Sequence, residues 1–240
     1  MKAVIVIPAR WASTRFPGKP LALIAGISLI QRVHDRAILS RKAAAVVVAT
    51  DDDRIADAVV SFGGKVVRPQ GHFRTGTDRI AAALPLLDAR YDQIINIQGD
   101  EPLIDIDSVD RVIDTLQTSE CDLVTLSCPI AGEEEFLSPD IVKVVLDQWG
   151  DALYFSRAPI PHGGAAAALR HIGVYGYQTS VLEALATLPQ SALEQAESLE
   201  QLRALQNGLK IRVLQTASPH LGVDRPEDVE RVEHELAKQG

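Results

Sequence analysis

At 240 residues the chain suits one large α/β domain, or one domain with a small appended lobe. Apolar residues make up 46% and charged residues 23%, a globular balance that excludes a disordered or fibrous protein. The net charge of −8 argues against non-specific nucleic-acid binding, so an anionic ligand must be met by a local cluster of cations.

No apolar run approaches the roughly 20 residues of a membrane span. The run Ala3–Ile7 is closed by Pro8 and Arg10, too early for a signal or membrane helix, so a cytoplasmic location without membrane contact is expected. Cys121 and Cys128 form no CxxC and no zinc-spaced cluster, and they read as reduced core thiols.

In chain order, Ala3 to Pro8 reads as a buried strand bounded by proline. A polar loop, Ala9 to Pro20, follows. Ser28 is a plausible cap for a helix with Leu29, Ile30, Val33, Ala37 and Ile38 on one face. Ala45 to Thr50 is a second strand. Asp51 or Asp52 can cap a helix reaching about Phe62, ended by Gly63-Gly64. Lys65 to Arg68 is a third strand, and Thr77 or Asp78 could cap a helix through Leu87. Gln93 to Gln98 is a fourth strand, broken at Gly99-Asp100-Glu101-Pro102, and Ser108 starts another helix.

From about Cys121 the connections shorten. Leu123–Ser127, Val142–Leu146, Ala152–Phe155, Ile172–Tyr177 and Lys210–Leu214 read as strands. Val181–Ala186, Leu193–Gln206 and Arg225–Lys238 read as helices, and 163–168 as a small-residue loop.

Strand–helix alternation with continuously apolar strands predicts an α/β fold, a mostly parallel mixed sheet flanked by helices. One domain over 1–240 is expected, with a nucleotide-binding half to about 120 and a second half from about 121. Ligands of such sheets sit outside the carboxyl ends of the strands. The polar residues there are Arg10, Thr50-Asp51 and Gly99-Asp100.

The loop after the first strand, Pro8-Ala9-Arg10-Trp11-Ala12-Ser13-Thr14-Arg15-Phe16-Pro17-Gly18-Lys19-Pro20, places three cations within ten residues. Arg forms bidentate phosphate contacts and Lys a compact point charge, a pairing suited to a triphosphate. It is neither a P-loop nor a GxGxxG turn, and by itself it could equally be a solvated basic loop. The loop resembles the signature of the sugar-acid cytidylyltransferases, whose Kdo branch reads close to IPAR-aromatic-x-S-[ST]-R-[LF]-PGKPL. The resemblance continues through Ala49-Thr50-Asp51-Asp52, Gly76-Thr77-Asp78-Arg79 and Asn96-Ile97-Gln98-Gly99-Asp100-Glu101-Pro102. It then runs through Tyr154-Phe155-Ser156-Arg157, His171-Ile172-Gly173-Val174-Tyr175, Leu199-Glu200-Gln201-Leu202-Arg203 and Val223-Asp224-Arg225-Pro226-Glu227-Asp228. Thr75 stands where the family usually has Ser, which retains the hydroxyl.

The resemblance implies a nucleotide-diphospho-sugar transferase (Rossmann-like) fold and a homodimer. It implies transfer of CMP from CTP to an acidic eight-carbon sugar, 3-deoxy-D-manno-octulosonate (Kdo), for lipopolysaccharide synthesis. Arg10, Ser13, Arg15, Lys19, Thr50, Gly76, Thr77, Arg79, Gln98 and Asp100 would then bind the nucleotide. Gln98, Arg157, His171, Tyr175, Glu200 and Gln201 would line the sugar pocket, with Arg157 facing the carboxylate. Asp100 and Asp224 would hold Mg²⁺, and Arg10, Lys19, Asp100 and Asp224 would form the catalytic set.

Read alone, Asp224 before a proline is equally a helix cap, His171 a structural histidine, and Glu200 with Arg203 a helix-surface pair. Arg79 would be left free beside its helix cap as a donor to cytosine. Rival readings are a cytidylyltransferase for 8-amino-Kdo or sialic acid, a sugar-1-phosphate nucleotidyltransferase, and a non-catalytic nucleotide-binding module.

Overall fold

The computed structural model describes residues 1–12, 15–217 and 221–239. The first stretch carries β1 (Ala3–Pro8), β2 (Leu23–Ile24), β3 (Ile27–Ser28), α1 (Leu29–Ala37), β4 (Ala43–Ala49) and α2 (Asp53–Ser61). Next come β5 (Lys65–Val67), α3 (Gly76–Ala83), β6 (Gln93–Asn96), α4 (Ile106–Thr118), β7 (Leu123–Pro129) and α5 (Glu133–Leu137). The remainder is β8 (Lys143–Leu146), β9 (Ala152–Ser156), β10 (Leu169–Gln178), α6 (Thr179–Thr187), α7 (Ala192–Glu197), α8 (Gln201–Gln206), β11 (Ile211–Gln215) and α9 (Asp228–Gln239). Among the described residues no helix is long and apolar enough to cross a membrane.

The chain forms two compact units, Met1–Asp110 with His220–Gly240, and Arg111–Pro219. The boundary at 110 lies ten residues before the one expected from the sequence, and α9 belongs with the first unit rather than the second.

In the first unit β6, β1, β4 and β5 lie side by side, all parallel. α1, α2 and α3 pack against these strands. Val4, Ile5, Val6 and Ile7 have no exposed surface, so β1 is buried on both faces. Each such aliphatic side chain contributes about 1.5–3 kcal/mol of burial. Consecutive residues point to opposite faces, so only a strand covered on both sides can be apolar at every position.

Asp52 caps α2, its carboxylate accepting from the Arg54 N–H at 3.0 Å. The cap of α3 is Thr75, not Thr77 or Asp78. Its hydroxyl accepts from the Asp78 N–H at 3.0 Å, because Thr75 is the last extended residue before the helical turn. The hairpin β2–β3 was not anticipated. It turns through Ala25 and Gly26, both at positive φ, and Glu233 of α9 accepts the Ala25 N–H at 2.6 Å.

In the second unit β7 lies between β11, parallel to it, and β10, antiparallel. β8 joins β10 and β9 antiparallel. The predicted helix Leu193–Gln206 is two helices, broken at Ser198, which sits at φ 53° in the left-handed region. Ser191 and Glu194 form a reciprocal capping box at the start of α7.

Candidate active site

The carboxyl ends of β1 and β6 deliver the charged residues of the first unit. After β1 the chain enters the cationic loop. The Gly18 N–H donates to the Trp11 carbonyl at 3.1 Å, closing the loop, and a 3₁₀ turn at Lys19–Leu21 follows. Gly18 is at φ 70°, a conformation that costs an ordinary residue strain. After β6, Gly99 lets the chain pass the end of β1, since a Cβ there would stand 3.0 Å from the Pro8 carbonyl oxygen. Asp100 follows directly.

The Lys19 ammonium donates to Asp100 Oδ2 at 2.6 Å and lies 3.5 Å from Asp224 Oδ1. The Arg15 guanidinium donates to the same Asp224 oxygen at 3.1 Å. Residues 81 and 205 positions from Lys19 thus meet at one amine. Asp224 is placed by the backbone: the Val223 N–H donates to the Asp100 carbonyl at 2.9 Å. The segment 221–223 belongs to no helix or strand. The backbone here is held by Asp228, whose Oδ2 accepts the N–H groups of Asp224 and Arg225, each at 2.9 Å. The Asp224 carboxylate itself faces the cations Arg15 and Lys19.

Burial raises the Asp100 carboxyl above its ordinary range. Lys19 opposes that rise, and the neighbouring charges of Glu101 and Asp224 add to it. Arg10 is exposed and makes no ion pair among the described residues. Ser13 lies outside the described residues.

Two nucleotide-binding expectations, Thr50 and Arg79, find different surroundings. Thr50 has no exposed surface, and its hydroxyl accepts the Asp52 N–H at 3.2 Å, so it supports the turn before α2. Arg79 is not left free. It is buried, donates to Asp51 at 2.6 Å and lies 4.9 Å from the Phe73 ring centroid. Gly76 opens α3 within 4 Å, by a built Cβ, of both Pro8 and Gln98, which brings three of the predicted segments together. Thr77 follows it, part-buried in the first turn of α3. The Gln98 amide donates to Asn96 at 3.2 Å.

The residues expected to line a sugar pocket all lie in the second unit except Gln98. His171 and Tyr175 stand on β10, with ring centroids 5.3 Å apart, and Phe155 meets His171 edge-on at 5.0 Å. The Thr125 hydroxyl lies 2.7 Å from the Val174 carbonyl and 2.9 Å from His171 Nε2. With its one proton on that carbonyl, Thr125 accepts from His171 Nε2–H, which leaves Nδ1 as an acceptor. Burial pushes the His171 pKa down to about 3, so the ring is neutral. Burial, then Tyr177 and Glu200, holds the Tyr175 phenol well above its usual range.

Arg157 is already braced. Its backbone N–H donates to Glu197 Oε2 at 2.9 Å, Nε to the Glu197 carbonyl at 3.0 Å, and Nη1 to the Pro139 carbonyl at 3.0 Å. The fully buried Lys143 ammonium donates to the carbonyls of Ser138, Ile141 and Arg157 at 2.6–2.8 Å. Burial works against the Glu197 charge, but the Ser156 hydroxyl and the Arg157 N–H outweigh it and hold the carboxyl below its usual range. Glu197 carried no sequence signal, because its partners Tyr154, Ser156 and Arg157 are distant along the chain.

Arg203 is buried rather than set on the helix surface. The Arg203 fork goes to Glu194, at 2.6 and 2.8 Å, in a buried pair. Gln201 is buried, and its Nε2 has no partner among the described residues.

A parallel sheet with cations and paired carboxylates beyond its strand ends is the arrangement of a nucleotide-handling α/β enzyme. The family model described as Cytidylyltransferase matches residues 4–211, and the chain belongs to that family. It is similar over its whole length to Kdo enzymes. It is 47% identical to the 3-deoxy-manno-octulosonate cytidylyltransferase of Syntrophotalea carbinolica (strain DSM 2380 / NBRC 103641 / GraBd1), covering 98% of this chain and 99% of that one. It is 44% identical to the 8-amino-3,8-dideoxy-manno-octulosonate cytidylyltransferase of Shewanella sp. (strain W3-18-1), covering 99% of each. A solved CMP:2-keto-3-deoxy-manno-octonic acid synthetase complexed with CTP matches with a TM-score of 0.93 and 42% identity, over 100% of both chains.

Proposed function

We propose that the protein transfers CMP from CTP to Kdo, releasing pyrophosphate, as a homodimeric cytoplasmic enzyme of lipopolysaccharide synthesis. The observation that carries the reading is the meeting of Lys19 with Asp100 and Asp224 beside Arg15. Triphosphate chemistry needs cations on the leaving phosphates together with carboxylates that can take a metal.

In this reading the anomeric hydroxyl oxygen of the sugar acid attacks the α-phosphorus in line. A new P–O bond forms, the bond to the β-phosphate oxygen breaks, and the hydroxyl proton passes to solvent. Arg10, Arg15 and Lys19 neutralise the departing pyrophosphate, Lys19 exchanging carboxylate oxygens for phosphate oxygens. No covalent protein nucleophile is needed, because positioning and charge stabilisation lower the barrier.

Asp100 and Asp224 are the residues that would hold magnesium. Their oxygens lie within reach of one ammonium, and a pair of carboxylates suits a hard cation that keeps phosphate and water ligands. When bound, the ion supplies charge to the phosphates and acidifies the attacking hydroxyl. Gln98, Arg157, His171, Tyr175, Glu200 and Gln201 are assigned to the sugar acid. The unpartnered Gln201 amide supports that assignment with a donor suited to a hydroxyl.

A second reading, the 8-amino sugar as acceptor, has the Shewanella relative in its favour. Pyrophosphate release with CTP and magnesium, measured with Kdo, 8-amino-Kdo and sialic acid in parallel, tests both. Kdo is expected to give the highest kcat/KM. Preference for the amino sugar would reassign the acceptor, and no release with any acid sugar would overturn the function.

A further inference from the structure

The cationic loop is gripped from outside by a residue that the reaction does not use. The Arg54 guanidinium lies over the Trp11 ring, 3.3 Å from its centroid. Arg54 is fixed in turn by Asp52, with Nε to Oδ1 at 3.0 Å and Nη2 to Oδ2 at 2.7 Å. That two-point contact aligns a planar fork with a carboxylate. Asp52 itself is the cap of α2, so the clamp is anchored to a helix terminus.

Trp11 also meets Gly18, the residue before Lys19. A Cβ built on Gly18 would stand 2.9 Å from the indole Cη2 and 3.0 Å from Cζ2, closer than real contacts allow. The backbone adds the Gly18 N–H to Trp11 carbonyl bond at 3.1 Å. Trp11 therefore lies against both Gly18 at the far end of the loop and Arg54 of α2. Lys19, one residue beyond Gly18, carries the 2.6 Å contact to Asp100.

We propose that Trp11, stacked on Gly18 and clamped by Arg54, is a positioning residue for the triphosphate, holding the loop in the shape that aims Lys19 and Arg15 at the phosphates. The inference rests on the loop's assignment to CTP. It adds that α2, through Arg54, sets the loop's geometry without touching the nucleotide. An aromatic ring is required at position 11 and a glycine at 18, the first for the stack and the second for its clearance.

The chain has two tryptophans, so Trp149→Phe leaves Trp11 as the sole indole reporter. Trp149 is 68% exposed in the second unit and lies outside the proposed machinery. In the full-length W149F protein, Arg54→Met is expected to change Trp11 emission. It is also expected to raise KM for CTP by about three- to thirtyfold, the span of cation–π contacts from exposed to desolvated. KM for the sugar acid should not move. Trp11→Phe, assayed in the otherwise native protein, should keep CTP KM near the parent value, and Trp11→Ala should reproduce the Arg54→Met defect.

Unchanged emission in the Arg54→Met variant would overturn the clamp, and changed emission with an unchanged CTP KM would overturn its positioning role. Equal loss of affinity for both substrates would mark a general structural defect and overturn it also. Failure of the W149F protein itself to turn over CTP with any acid sugar, while native protein also fails, would sink the CTP assignment instead.

Discussion

Lys19 donates to Asp100 across 2.6 Å while burial pulls the Asp100 carboxyl toward its neutral form. The lysine opposes that pull, while the neighbouring charges of Glu101 and Asp224 add to it. Charge crowding of this kind is costly to the fold, and perturbed carboxyl groups cluster at functional sites.

Lys19→Ala and Asp100→Ala should each leave a folded protein with turnover reduced by about 10²-fold or more, the scale for removing one group that stabilises transition-state charge. Steady-state pyrophosphate release with a circular-dichroism check decides it. Near-native turnover in either variant would remove that residue from the mechanism.

Asp100→Asn should raise the thermal midpoint at pH 7 while abolishing activity. The native carboxyl binds its proton more tightly than the unfolded one, so ionising Asp100 destabilises the fold as pH rises above the unfolded value of 3.8. The gain from asparagine should be present at neutral pH and vanish below that value. Melting curves of both proteins across pH 3–7 measure it. A lower midpoint for the variant at pH 7 would contradict the argument.

His171 gives the opposite sign. Its folded pKa, about 3, lies below the ordinary 6.5, so the native ring is neutral where the unfolded one is charged. Stability from this residue is present above 6.5 and is lost as pH falls toward 3, at most about 1.4 kcal/mol per pH unit. His171→Gln should flatten the acid limb of denaturant-measured stability between those values. An unaltered slope would show that the ring titrates near its usual pH.

Glu197→Gln should loosen Arg157, because Glu197 accepts the Arg157 N–H and the Ser156 hydroxyl as a charged group. Charge-assisted hydrogen bonds are worth about 1.5–3 kcal/mol. KM for the sugar acid is therefore expected to rise by about tenfold or more with KM for CTP unchanged. An increase confined to CTP would contradict the assignment of Arg157.

Gln201→Leu separates binding from folding. The buried Nε2 has no partner among the described residues, so replacing the amide by an apolar group of similar size should leave the thermal midpoint unchanged or raise it. KM for the sugar acid should nonetheless rise by about three- to tenfold, one neutral hydrogen bond. A large loss of stability would assign the amide to the core instead.

Much of this architecture was legible from local chemistry. Continuous apolar runs such as Ala3–Pro8 specify strands buried on both faces, and Asp52 ahead of an apolar repeat specifies a capped helix, because both signals lie within a few residues. The motif chain, from Pro8-Ala9-Arg10 to Val223-Asp224-Arg225, identified the family for a similar reason: site residues sit at fixed places in short segments. What only the tertiary structure decided was partnership at a distance. It put Asp224 against Lys19, sent Arg203 into a buried pair with Glu194, drew Arg79 onto Asp51, buried Thr50, and set Arg54 on Trp11. A side chain's partner depends on which backbones pass within about 3 Å of it, and spacing along the chain carries that information only within a turn of helix or a hairpin.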